Sequence, residues 1–132
     1  EGDVLLGMGE LDRVMRRFNK ARSSYSEARS LFKAERNLKG EANTLLGLGH
    51  IASKLGQHDK ARAAYTEARS LFKAEGDRLG EAYVLRGLGK LEGSTNPDMA
   101  RQYFYQAAFL YEQIGMNDEK ERALTHAKNL SH

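Results

Sequence analysis

The sequence predicts an all-α solenoid of three antiparallel helix pairs stacked in chain order and closed by a C-terminal capping helix. Three observations predict it. The segment ARSLFKAE stands at Ala28–Glu35 and returns unchanged at Ala68–Glu75. The glycine pairs Gly7/Gly9, Gly47/Gly49 and Gly87/Gly89 mark one beat three times, at a period of about 40 residues. Apolar residues recur at helical intervals, and no segment alternates with the period of two that a half-buried strand needs. A fixed period of this length describes units that bury their apolar faces only by stacking on one another. The repeats divide the chain at 1–40, 41–80 and 81–116, with the cap over 117–132, as one domain 1–132. Glu1, Glu41 and Glu81 fall on the same beat, so a repeat boundary in a longer array is expected at the start.

Each helix follows from its own residues. Over 1–17, Asp3 can cap a helix whose apolar face is Leu5, Met8, Leu11 and Met15. The second helix, 19–36, turns Ala21, Tyr25, Ala28, Leu31 and Phe32 inward. Lys20, Arg22, Glu27, Arg29 and Lys33 are left on its wet face. Asn37–Gly40 reads as a connector. The third helix, 41–55, buries Leu45, Leu48, Ala52 and Leu55, with Gly49 where its partner crosses closest. Gly56 takes the left-handed position that ends it. His58 or Asp59 opens a fourth helix that repeats the inward face as Ala61, Tyr65, Ala68, Leu71 and Phe72, and Gly76-Asp77 ends it. Gly80–Glu92 buries Leu85, Leu88 and Leu91. Asn96-Pro97 then opens a helix facing inward through Ala100, Phe104, Ala107, Leu110 and Tyr111. Gly115-Met116-Asn117 breaks it. The last helix sets Ala123, Leu124, Ala127 and Leu130 against a charged face, as a solenoid end requires.

Composition bounds the chemistry. The 132 residues are 30% charged and 40% hydrophobic with net charge +3, too weakly basic to imply nucleic acid. The absence of cysteine removes disulfides and thiol chemistry. His50, His58, His126 and His132 lack metal-ligand spacing. No apolar run approaches a membrane span and no signal segment opens the chain, so a cytoplasmic protein with no membrane attachment is expected. No cofactor, metal or catalytic residue is expected. Gly7-x-Gly9 and its two copies lie inside helices with no strand before them, so they read as close-packing positions rather than a phosphate loop. The basic residues Arg22, Arg29, Lys33, Arg62, Arg69 and Lys73 are interrupted by glutamates and by no aromatic residue, the pattern of a solvated face.

These residues resemble the tetratricopeptide repeat, whose helix pairs carry W-x2-L-G-x2-Y, then A-x3-F, then a small residue. The second repeat fits through Leu45, Leu48-Gly49, Ala52, Leu55-Gly56, Ala61, Tyr65 and Ala68. The first fits through Leu5, Met8-Gly9, Ala21, Tyr25 and Ala28, and the third through Leu85, Leu88-Gly89, Ala100, Phe104 and Ala107. Asp12 and Glu92 depart from the pattern at the tyrosine slot. An ordinary repeat runs about 34 residues, so the period of about 40 is similar to the long repeats of LGN/Pins-type adaptors and of arrays fused to NACHT or NB-ARC ATPases. The resemblance implies a right-handed superhelix and a non-catalytic protein-interaction scaffold that binds a peptide or partner segment against its first helices.

By motif position, that resemblance places Leu6, Glu10 and Arg13 of the first repeat on the concave wall, beside Asp3 and Val14. Asn43, Leu46, His50 and Lys54 follow from the second repeat, with Ser53. Tyr83, Arg86 and Lys90 come from the third, with Ser94. These positions differ between repeats while the inward residues barely change. Leu6, Leu46 and Tyr83 rimmed by charge suggest an interface, and Arg86 with Lys90 suits an acidic stretch of the partner. The lysine, asparagine and arginine that hold Hsp70/Hsp90 tails have no match here, since Leu6, Glu10, Gly47, Tyr83 and Gly87 stand at those places. Two alternatives stay open: a self-associating repeat module forming homo-oligomers through exposed repeat ends, and the sensor arm of a larger signalling ATPase.

Overall fold

A computed structural model describes residues 1–130 as seven helices, with no strand among them. They are α1 (Gly2–Val14), α2 (Phe18–Ala34), α3 (Leu38–Lys54), α4 (His58–Glu75), α5 (Arg78–Glu92), α6 (Pro97–Gln113) and α7 (Asn117–Lys128). Two compact units result, Glu1–Glu75 and Gly76–His132. In the first, α2 packs on α1 and α3, α3 packs on α4, and α1 also touches α3. In the second, α6 packs on both α5 and α7.

The repeated inward faces form the cores. Ala21, Tyr25, Ala28 and Phe32 of α2 are buried, as are Ala61, Tyr65, Ala68 and Phe72 of α4 and Ala100, Phe104, Ala107 and Tyr111 of α6. Leu31, Leu71 and Leu110 are half-buried. Each large ring needs space on the facing helix, and glycine supplies it. A Cβ at Gly9 would lie 2.8 Å from the Tyr25 ring, one at Gly49 2.7 Å from Tyr65, and one at Gly89 2.8 Å from Phe104. Tyr25 is also wedged against α3, where a Cβ on Gly47 would come within 2.4 Å. Close packing therefore explains Gly9, Gly47, Gly49 and Gly89, whereas Gly7 has open space beside it.

Helix ends follow one device with two kinds of residue. After α3, Gly56 adopts φ +74°, and the Gln57 amide reaches back to the Ala52 carbonyl at 2.8 Å. The same bond closes α1 and α2, from Arg17 to Asp12 at 2.7 Å and from Asn37 to Phe32 at 2.8 Å. There Arg16 and Arg36 occupy the left-handed position, at φ 62° and 56°. A side chain is strained in this region, glycine is not.

Several expectations are corrected. Asp3 lies inside the first turn of α1 and Glu1 stands at its N-cap. The connector at 37–40 is the start of α3: the Asn37 side chain accepts the Gly40 amide at 2.9 Å, so the helix begins at Leu38. Asp77 does the same for Gly80 at 2.9 Å, and α5 begins at Arg78. Position 40 is a glycine because a Cβ there would lie 2.4 Å from the Phe32 ring. The apolar stripe of α1 is largely outside: Met8, Leu11 and Met15 are exposed and Leu5 half-buried. Leu55 is also exposed, since α3 ends at Lys54. The cap expected over 117–132 is helical only to Lys128, and residues 131–132 lie outside the described residues. Glu92, in the tyrosine slot, is buried and accepts a long bond of 3.4 Å from the Thr95 hydroxyl.

Candidate functional site

The first-helix faces are described unit by unit. In the first unit, α1 carries Leu6, Glu10 and Arg13, and α3 carries Asn43, Leu46, His50 and Lys54. All but Lys54 are half-buried. Leu6 packs against the Ala21–Tyr25–Ile51 cluster, so it serves the core as well as the surface. Arg13 donates to the Tyr25 hydroxyl at 3.2 Å and to a Glu10 carboxylate oxygen at 2.9 Å. His50 Nδ1 meets the Tyr65 hydroxyl at 2.8 Å, with the two rings edge to face. Thus two of the expected surface positions reach inward and satisfy the one polar atom of each buried tyrosine. Burial pushes the Tyr25 hydroxyl up to about 12, against the opposing hydrogen bond from Arg13. Burial also disfavours the Arg13 charge, and its bonds to Glu10 and Tyr25 more than reverse that.

In the second unit, Tyr83, Arg86 and Lys90 lie on α5. The Arg86 guanidinium stacks over the Tyr83 ring at 5.1 Å from its centroid, a cation–π contact. Tyr83 in turn meets Tyr111 edge to face, with centroids 6.3 Å apart. Arg86 and Lys90 line a cavity of about 210 Å³ together with Tyr111 of α6 and with Glu119, Arg122, Ala123 and His126 of α7. Arg122 bonds Glu119 at 2.8 Å. The His126 ring stacks on Phe104 at 5.1 Å. Burial, then Lys90, then Arg86 hold the His126 imidazolium below its ordinary range. The Tyr111 hydroxyl is buried and makes no hydrogen bond of ordinary geometry, although the Arg86 guanidinium lies near enough to act on it. Its proton affinity is raised by burial and lowered in part by Arg86.

Arg86 and Lys90 were legible in the sequence as one end of a charged wall; Tyr111, Arg122 and His126 were not. A signal existed for Tyr111, which stands where the other pairs bury Phe32 and Phe72. On the second helices, Arg29 of α2 pairs with Glu67 of α4 at 3.1 Å and Arg62 with Asp59 at 3.3 Å. Among the described residues, no group of three acidic, histidine or cysteine side chains could hold a metal, and no helix is long and apolar enough to cross a membrane.

A tetratricopeptide repeat profile matches residues 2–74 and again residues 40–113. The chain belongs to the tetratricopeptide repeat family. Tetratricopeptide repeats are in general non-catalytic and mediate contacts between proteins. Among solved structures, this tetratricopeptide chain is similar to the crystal structure of BtubC (BKLC) from P. vanneervenii, with a TM-score of 0.67 at 20% identity. The match covers 97% of this chain and 63% of that one, so the chain spans about 63% of that neighbour's length. At this identity the likeness speaks for the tetratricopeptide fold alone. A comparison with curated proteins finds no match.

Proposed function

We propose that this chain is a non-catalytic interaction scaffold of the long-repeat kind. It takes a peptide or partner segment along its first-helix faces, with an acidic stretch of that partner over Arg86 and Lys90. One observation carries the reading: Arg86 and Lys90 open onto a cavity whose other charged groups are Arg122, His126 and the single acid Glu119. Because Glu119 is paired with Arg122, positive charge is in excess there. Such a surface attracts an acidic segment and speeds its encounter. Further support comes from the places that differ between repeats. Glu10, His50 and Lys90 share one beat, so the face changes its charge while the core behind it stays nearly constant.

The test is a peptide-library screen with the wild-type chain and the Arg86→Glu/Lys90→Glu variant. Acidic peptides enriched by the wild type and lost in the variant support the reading. An equal harvest from both proteins removes it.

A second reading, self-association, draws on α1. Val4, Met8, Leu11, Val14 and Met15 are 50–71% exposed there, a continuous apolar stripe of the kind that proteins cover. Sedimentation that shifts to higher mass with concentration, and stays monomeric in Leu11→Glu/Met15→Glu, supports it; a wild type monomeric at all concentrations excludes it.

A further inference from the structure

The second unit contains a cavity lined by Arg86, Lys90 and Arg122 with a single acid, Glu119. We propose that the cavity between α5, α6 and α7 is an oxyanion site. It takes a phosphoryl group or side-chain carboxylate of the bound peptide, with Arg86 and Lys90 supplying charge and the Tyr111 hydroxyl a buried donor. This deepens the proposed function and rests on it for the source of the oxyanion.

The argument begins with the orphaned hydroxyl. Tyr111 has no exposed surface, and its oxygen makes no hydrogen bond of ordinary geometry, with the Arg86 guanidinium nearby. A buried polar group left unsatisfied is destabilising, and such groups in folded proteins call for an explanation. Phenylalanine at the matching positions Phe32 and Phe72 fills the same core without that cost. The other buried tyrosines are not left open: Tyr25 has Arg13 and Tyr65 has His50. Tyr111 instead lines a cavity of about 210 Å³, large enough for several waters at roughly 30 Å³ each and so for a carboxylate or phosphoryl group.

The charges converge from two of the three helices around it. Arg86 and Lys90 come from α5, and Arg122 and His126 come from α7; Glu119, bound to Arg122, is the one acid in the lining. Guanidinium and ammonium groups donate strong, short bonds to carboxylate and phosphoryl oxygens, and a phenolic O–H adds a neutral donor. The imidazolium of His126 is disfavoured by burial, Lys90 and Arg86. An oxyanion reverses the local field, raises the proton affinity of His126 and is therefore bound with proton uptake. For a carboxylate, ionised throughout this range, affinity rises as the pH falls from about 7.5 towards 6; for a phosphoryl group, whose second proton binds at about 6, the ligand's own protonation offsets the gain.

The experiment titrates the full chain, followed by amide and imidazole NMR. Inorganic phosphate is the first probe. The peptides are three of one sequence, carrying phosphoserine, glutamate or glutamine at a single place. Phosphate is expected to shift α5–α7 amides saturably and to raise the His126 midpoint. Tyr111→Phe, with an otherwise unchanged spectrum, is expected to weaken it several-fold, and Arg86→Gln at least tenfold. The tighter of the phosphoserine and glutamate peptides identifies the source. Non-saturating shifts spread over surface lysines, an unmoved His126, or a glutamine peptide that binds as well as the other two overturns the site. If phosphate fails here while Arg86→Glu/Lys90→Glu still abolishes acidic-peptide binding, the cavity is lost and the interaction surface stands. If phosphate binds and no acidic peptide does, the oxyanion site stands and the interaction reading falls.

Discussion

The two units answer the same problem differently. Both wedge a large aromatic ring of a second helix against a glycine of the first: Tyr25 on Gly9, Tyr65 on Gly49 and Phe104 on Gly89. In the first unit each ring carries a hydroxyl, and each hydroxyl is met by a polar side chain of the first helix, Arg13 or His50. In the second unit the wedge is Phe104, which asks for nothing. The hydroxyl has moved two turns along to Tyr111, a residue that lines a cationic cavity, and is buried there without a hydrogen bond of ordinary geometry. The first unit thus meets the hydroxyl of each wedged ring internally, and the second leaves the Tyr111 hydroxyl without a hydrogen bond. A scaffold of nearly constant repeats acquires a distinct surface by relocating a single oxygen and packing α7 beside it.

The largest expected effect tests what the units share. Tyr65→Ala and Phe104→Ala both remove a buried ring and are expected to lose about 3–5 kcal/mol in urea unfolding. A much smaller loss for one would show that the two wedges are not equivalent. The next pair isolates the hydroxyls. Tyr65→Phe abandons the bond to His50 and is expected to cost about 1 kcal/mol. Tyr111→Phe removes an unsatisfied group and is expected to be neutral or slightly stabilising. Equal losses in both would break the comparison.

Helix ends offer a finer probe within the first unit. Arg36→Gly relieves a left-handed arginine and is expected to raise stability by a few tenths to ~1 kcal/mol. Gly56→Arg, at the left-handed position after α3, is expected to lower it by a similar amount, both read from denaturation midpoints.

The smallest effect is in pH. Because the folded state lowers the His126 proton affinity, both states hold it neutral above about 6.5. As the pH falls through that value the unfolded chain protonates first, so this contribution to stability declines until the folded midpoint is passed. NMR titration should place the His126 midpoint below 6.5, and Lys90→Gln should move it up part of the way, because burial is the larger cause.

What was legible in the sequence followed from repetition. The inward set Ala61, Tyr65, Ala68 and Phe72 could be read because it occurs nearly unchanged in the first repeat, and all four are buried. Gly40 misled: it reads as a breaker, yet Asn37 caps the helix before it, and the Phe32 ring needs the space that it leaves. The stripe on α1 shows the limit of periodicity, which identifies an apolar face but not whether anything covers it; Met8, Leu11 and Met15 are in the open. Arg86 and Lys90 were readable as charges on one helix. Their grouping with Arg122 and His126 was not, because these meet only through the packing of α7 on α6, which no local pattern encodes.

The most direct test of the proposed interaction is a charge-swap binding measurement by fluorescence anisotropy. An acidic peptide and its charge-reversed, basic counterpart are each titrated with the wild-type chain and with Arg86→Glu/Lys90→Glu. The account predicts that the wild type binds the acidic peptide, that the variant loses it at least tenfold, and that the variant gains the basic one. Acidic-peptide binding that is indifferent to the reversal would contradict it.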